Sequence, residues 1–211
     1  MNIVEFASQN SGQILRLTGQ HLFLAVISTA IAAAIGIPLG ILLTRKPAWS
    51  KAVLGIANVL QTIPSLALLG FLIPLPFLGG IGARTAIVAL VLYALLPIIR
   101  NTYSGISGVD PAIREAGRGM GMTDQQLLWM VEMPLASGVI FAGIRIAMVV
   151  SIGVATIAAA IGAGGLGEFI FRGVSMVDST LILAGAVPAA ILAIAVDVLL
   201  GTIEKKIAPN L

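Results

Sequence analysis

From Leu22 to Leu43 the chain carries no charged side chain, and from Ala52 to Ala83 it carries none over 32 residues. A helix that crosses a bilayer needs about 20 consecutive apolar residues. In hydrocarbon each backbone N–H and C=O must find its partner inside the protein, so runs of this length predict spanning helices. The rest of the 211 residues keeps the same character. Only 10% are charged, where a soluble domain carries roughly 25%, and the mean hydropathy is +1.07. The expectation is an all-α integral membrane protein forming one domain over 1–211.

The 52–83 run is too long for one straight helix. Pro64, Pro74 and Pro76 interrupt it, which predicts a span near Val53–Ile73 and then a turn. With Leu22–Leu43, the further spans are expected near Thr85–Ser104, Leu135–Ala160 and Leu181–Ile203, five in all. Five crossings put the two termini on opposite sides. The N-terminus lacks a basic stretch, carries Glu5 and precedes a run of full spanning length, so it does not read as a cleavable signal peptide.

The sequence pI of about 9.7 points to orientation, not nucleic acid, because Lys and Arg gather at the ends of apolar runs. Basic residues concentrate in cytoplasmic loops. Arg45, Lys46, Lys51, Arg100, Arg114, Arg118, Lys205 and Lys206 fall on one side; Arg16, Arg84 and Arg172 fall on the other. The N-terminus is therefore expected outside and the C-terminus in the cytoplasm.

One long polar segment, about 110–134, lies on the cytoplasmic side. Asp110 before Pro111 reads as a helix start. Gly117, Gly119 and Gly121 favour a bend. Thr123 and Gln126 have capping-box spacing, and an apolar stretch around Trp129 runs to Pro134, which is expected to end the element. Within this segment come Glu115, Ala116, Gly117, three residues, Gly121, nine residues, then Val131, Glu132, Met133 and Pro134. That order resembles the EAA loop of ABC importer permeases (E-A-A, three residues, G, nine residues, I-x-L-P). Gly117, Val131 and Met133 depart conservatively. The resemblance implies the five-span fold of type I importers, working as a pair of permeases, either two copies or a copy with a sister permease. It implies that the loop docks on a separate ATPase subunit, through Glu115, Ala116, Gly117, Gly121, Met133 and Pro134. Trp129 is added as an anchor because aromatics dominate interface energetics.

Other motifs narrow the chemistry. Gly162, Gly164 and Gly167 spell G-x-G-x-x-G, but a spanning helix precedes them where the nucleotide fingerprint needs a strand. IGAGGLG resembles instead a stretch after the fourth span of betaine- and methionine-type permeases. There is no G-x-x-x-x-G-K-[ST], so ATP and Mg are expected on the partner ATPase, with no cofactor in this chain. The chain has no cysteine and a single histidine, His21, which reads as a membrane-interface residue without function, since one histidine builds no zinc site.

Polar residues inside spans are costly and call for partners or function. Arg145 and Asp197 lie at similar depths and are expected to pair; lining the pathway is the alternative. Gln61, Thr62, Pro64 and Ser65 break the second span. Pro64 frees a carbonyl that Thr62 or Ser65 could satisfy, and the same bend could line a path, with Tyr93 and Pro97 as further lining. The stretch TIPSLALLGFLIP resembles the same region in permeases for quaternary-ammonium osmoprotectants. The family likeness implies carriage of glycine betaine, carnitine or choline, delivered by an extracellular binding protein, into a bacterial cell across its plasma membrane. A methionine-type amino-acid permease is the alternative.

The charge distribution makes one direct prediction. A reporter fused after Leu211 that works only outside the cell should stay silent, whereas one that works only in the cytoplasm should be active. The reverse result removes the five-span orientation.

Overall fold

The computed structural model describes residues 3–77 and 79–207, of which all the regular elements are helices. Short α1 (Ile3–Gln9) precedes α2 (Ser11–Arg45), followed by α3 (Pro47–Thr62), α4 (Ser65–Leu72) and α5 (Ala83–Ser107). The polar segment supplies α6 (Pro111–Gly119) and α7 (Asp124–Leu127), which leads through a wide π-turn, Leu128–Glu132, into α8 (Met133–Ala158). A 3-10 turn, the glycine loop, α9 (Gly167–Met176) and α10 (Ser179–Ile207) complete the chain. Four helices are long and apolar enough to cross a membrane, and α3 with α4 makes a fifth crossing if that bent pair is counted as one.

The second span breaks where the sequence places the break: α3 and α4 meet at Ile63–Pro64 with a 101° bend. The structure departs from the sequence reading in two other places. The α2 helix runs 35 residues, about 52 Å at 1.5 Å per residue. It begins well before Leu22 because Arg16 and Gln20 end the hydropathy signal without ending the helix. Second, Pro134 does not separate the polar segment from the fourth span. The helix is continuous from Asp124 to Ile161. A proline ring clashes with the carbonyl four residues before it; here the turn has already widened, and Met133 N–H bonds the carbonyl of Leu128, five residues back.

At the centre is α5, packed between α2 and α8 and touched by α3 and α4. Without a hydrophobic drive between helices in lipid, close approach through small residues supplies the packing. Gly36 and Gly40 of α2 let Ile98 and Thr102 of α5 come against the backbone. Gly143 of α8 does the same for Asn101 and the Pro97 carbonyl. A Cβ on Gly40 would lie 2.6 Å from the Thr102 Cβ, and one on Gly143 would lie 2.6 Å from the Asn101 Cβ. The largest core cluster joins Leu68, Leu69, Leu90, Tyr93 and Ala155, so α4 caps the α5–α8 contact.

Gly40→Leu should lower stability by about 1–3 kcal/mol through overpacking. Gly19→Ala lies on the same helix with open space around it, and should be neutral or gain about 0.5 kcal/mol. Thermal unfolding of the detergent-solubilised protein compares them.

Candidate coupling site and membrane path

The polar segment folds as two capped helical pieces around a glycine turn. The Asp110 carboxylate accepts a hydrogen bond from Ala112 N at 2.8 Å, with Pro111 at the first helical position. Thr123 and Gln126 form the full capping box: Gln126 N donates to Thr123 Oγ1 at 3.2 Å, and Thr123 N to Gln126 Oε1 at 2.9 Å. Between them Gly121 has φ +84°, a left-handed conformation that side chains disfavour. Gly117 is buried, and a Cβ there would lie 2.8 Å from Leu127 Cδ1; the alanine that the EAA pattern carries at this place would need Leu127 to move.

Two faces of the segment differ. Glu115, Ala116, Met120, Trp129 and Met130 are exposed, with Trp129 at 57%. The inner side is fixed by a charge cluster that the sequence reading missed. Glu132 is completely buried. Arg45, at the end of α2, makes a two-pronged contact with its carboxylate, one prong being Nη1 to Oε1 at 3.3 Å. Arg114 of α6 places Nε 3.3 Å from Oε1, close enough for an ion pair though not aligned as a hydrogen bond. The Arg114 guanidinium also donates to the Ile106 carbonyl near the end of α5. Three elements thus meet on one carboxylate. Nearby, Met133 packs with Ile106, Ala136 and Ile140, and Pro134 lies exposed at the start of α8. The one signal in the sequence was a lone acid within the apolar run WMVEMPLA. By contrast the Arg118–Asp124 pair, 3.9 Å apart and highly exposed, contributes little.

Gln61, Thr62, Pro64, Ser65 and Tyr93 are brought together at the α3–α4 break. The expected local repair occurs only in part. Thr62 Oγ1 bonds the Val59 carbonyl at 2.7 Å, but the carbonyl of Ile63, at the break itself, is bound by the Tyr93 hydroxyl from α5. In return Gln61 Nε2 donates to the Tyr93 carbonyl at 2.9 Å. That carbonyl is free because Pro97, four residues on, has no N–H to offer it. The α5 hydroxyl thus satisfies the carbonyl left open where the chain turns extended before Pro64, and the α3 amide satisfies the one that Pro97 leaves open.

Arg145 Nε lies 2.8 Å from Asp197 Oδ1. Glu204 joins at 2.9 Å from Nη1, which makes a triad of one cation and two carboxylates. It is about one-third exposed, so the chain alone does not enclose it.

His21 is corrected. It is fully buried. Its Nε2–H donates to the Ile152 carbonyl at 2.9 Å, and its Nδ1 accepts from Leu166 N at 3.3 Å. Gln20 Oε1 accepts from Gly165 N at 3.2 Å. The glycine loop, with positive φ at Gly162, Gly164 and Gly165, is thereby pinned to α2. No group of three or more metal-ligating residues occurs among the described residues.

A continuous all-helical bundle with a capped two-helix loop tied to three helix ends defines a transport permease of the type I importer architecture. Residues 36–209 match the family described as binding-protein-dependent transport system inner membrane component, and the chain belongs to that family. It is 50% identical to the carnitine transport permease protein OpuCB of Listeria monocytogenes, over 99% of this chain and 94% of that one. It is 46% identical to the osmoprotectant import permease protein OsmW of Salmonella typhimurium, over 100% and 99%. It is 45% identical to the glycine betaine/carnitine/choline transport system permease protein OpuCB of Bacillus subtilis, over 99% and 94%. Among solved structures, an inward-facing MetNI methionine ABC transporter superposes with a TM-score of 0.84 at 25% identity, covering 95% of this chain and 98% of that one.

Glu132→Ala leaves two arginines around an empty cavity. It should cost about 3 kcal/mol, the lower end for breaking a buried ion pair, because both arginines retain some exposure. Adding Arg114→Ala should restore part of the loss. Thermal unfolding of the single and double variants measures it, and strictly additive losses would dissolve the cluster as a unit.

Proposed function

We propose that the chain is the permease subunit of an ATP-driven importer for quaternary-ammonium osmoprotectants such as glycine betaine, carnitine or choline. The observation that carries this reading is full-length identity of 45–50% to permeases whose names state those cargoes. The methionine alternative is supported by the fold, at 25% identity.

The exposed side of α6, the glycine turn and the π-turn receives an ATPase subunit. Glu115, Ala116, Gly117, Gly121, Trp129, Met133 and Pro134 form or shape this contact. ATP and Mg belong to that partner, and this chain performs no chemistry. Through Glu132, displacement of the loop reaches α2 and α5. The cargo path runs beside the α3–α4 break, past Gln61, Thr62, Pro64, Ser65 and Tyr93. Two permeases enclose it, and the N-terminus faces outward.

Selection of the cargo belongs to an extracellular binding protein. A trimethylammonium group is held by a cage of several aromatic faces. The chain has two Trp, two Tyr and seven Phe. Phe6 and Phe169, with centroids 5.8 Å apart and edge to face, form a ring pair of the outer-end core and not a cage.

Gly121→Asp forces a side chain into a left-handed turn, and Glu115→Lys reverses an exposed charge. Both proteins should reach the membrane, and both should uncouple ATP hydrolysis from uptake in vesicles reconstituted with ATPase and binding protein. Wild-type uptake in both variants would remove the loop as the coupling element. Uptake of methionine and of no quaternary amine would replace the cargo assignment.

A further inference from the structure

Of the charges set within the spanning helices, Arg145 is paired with both Asp197 and Glu204, and Glu132 is held by two arginines. Arg100 is different. It lies on α5, seven residues before the end of the helix, and its side chain is exposed in the chain. It has no carboxylate in ion-pair range among the described residues. Its one contact is Nη2 to Asn58 Oδ1, at 3.2 Å. An arginine seeking the membrane surface extends towards it. This one reaches to an amide eleven residues along α3 from Pro47, the end that adjoins Arg45 and the coupling loop. The amide orients the guanidinium and leaves most of its donors open.

Polar side chains interrupt the apolar surface around it. Arg100, Asn58 and Thr62 are exposed at positions inside apolar helices. Such residues face protein or water and mark cargo routes. Arg100 follows Tyr93 by two turns on the same face of α5. Ser104, one turn further, lines a recess of about 320 Å³ between α5, α6 and α8. Tyr93, Arg100 and Ser104 therefore step along one face of α5 from the helix break to that recess, and Arg100 is the cation among them.

We propose that Arg100, positioned by Asn58, is a carboxylate-recognition point on the cargo path. Glycine betaine and carnitine carry a carboxylate beside the trimethylammonium group, and choline carries only the cation. A guanidinium offers paired donors in a fork that fits a carboxylate. It attracts the two zwitterions and opposes choline. The assignment rests on the osmoprotectant reading above and deepens it by splitting those cargoes into two chemical groups.

The test uses the full complex in vesicles, with saturating binding protein and radiolabelled betaine, carnitine and choline. Because the binding protein sets the half-saturation, the maximal rate is the readout. Arg100→Gln should reduce betaine and carnitine rates by about tenfold or more, the worth of one hydrogen bond to a charged group. Choline uptake should hold or rise, and Arg100→Glu should raise it further. Arg100→Lys should retain the wild-type preference. If Arg100→Gln fails to accumulate in the membrane, Asn58→Ala keeps the charge, loses its orientation, and should slow the zwitterions alone. An equal fall for all three cargoes, or no change for any, overturns the proposal. A wild-type complex that carries none of the three fails the osmoprotectant reading instead.

Discussion

The end of the bundle that carries the polar segment is organised by one carboxylate, that of Glu132, with no access to water. A carboxylate taken out of water calls for cations beside it, and cations drawn from one element alone would fix nothing. Arg45 and Arg114 come from the end of α2 and from α6. Arg114 also holds the Ile106 carbonyl of α5. The energetic consequence follows from desolvation: the cluster is stable only complete, since losing a member leaves a charge stranded. An arrangement of this kind resists partial distortion, so the polar segment and the ends of α2 and α5 hold together as one unit.

Much of this was legible in the sequence because it rests on local chemistry. The caps at Asp110 and Thr123, the turn at Gly121 and the all-helical membrane class follow from residue type and spacing. The helix lengths were less so. Hydropathy marks where lipid contact ends, whereas α2 continues past Arg16 because exposed polar residues extend a helix freely. Pro134 was read as a stop because a proline opposes regular α-helix; the π-turn that accommodates it has no local signature. The long-range partners were invisible for a different reason. Nothing near Glu132 names Arg45, 87 positions away, and nothing near His21 names Ile152 or Leu166. Arg145 and Asp197 were matched by depth, and Glu204 was missed because it sits near the basic tail and reads as an end residue.

The two prolines at the α3–α5 seam show how a bilayer converts a local defect into a tertiary bond. Pro97 leaves the Tyr93 carbonyl without an intrahelical donor, and the extended residue that Pro64 imposes before itself leaves the Ile63 carbonyl without one. In water both would be solvated. At membrane depth they are answered across the interface, by Tyr93 and Gln61. Separating α3 from α5 would strip both carbonyls together, so the break moves with α5 or stays shut. The bend is thus a fixed shape within a movable unit.

The unbroken helix from Asp124 to Ile161 comes close against α5 at Gly143, which is 19 residues from one end and 18 from the other. A stiff beam resting on a support at its midpoint is a balanced see-saw. A push that carries the inner end one way carries the outer end the opposite way by about the same amount. A single rocking of this beam would then shift the contacts at both of its ends at once, without any second moving part to synchronise them.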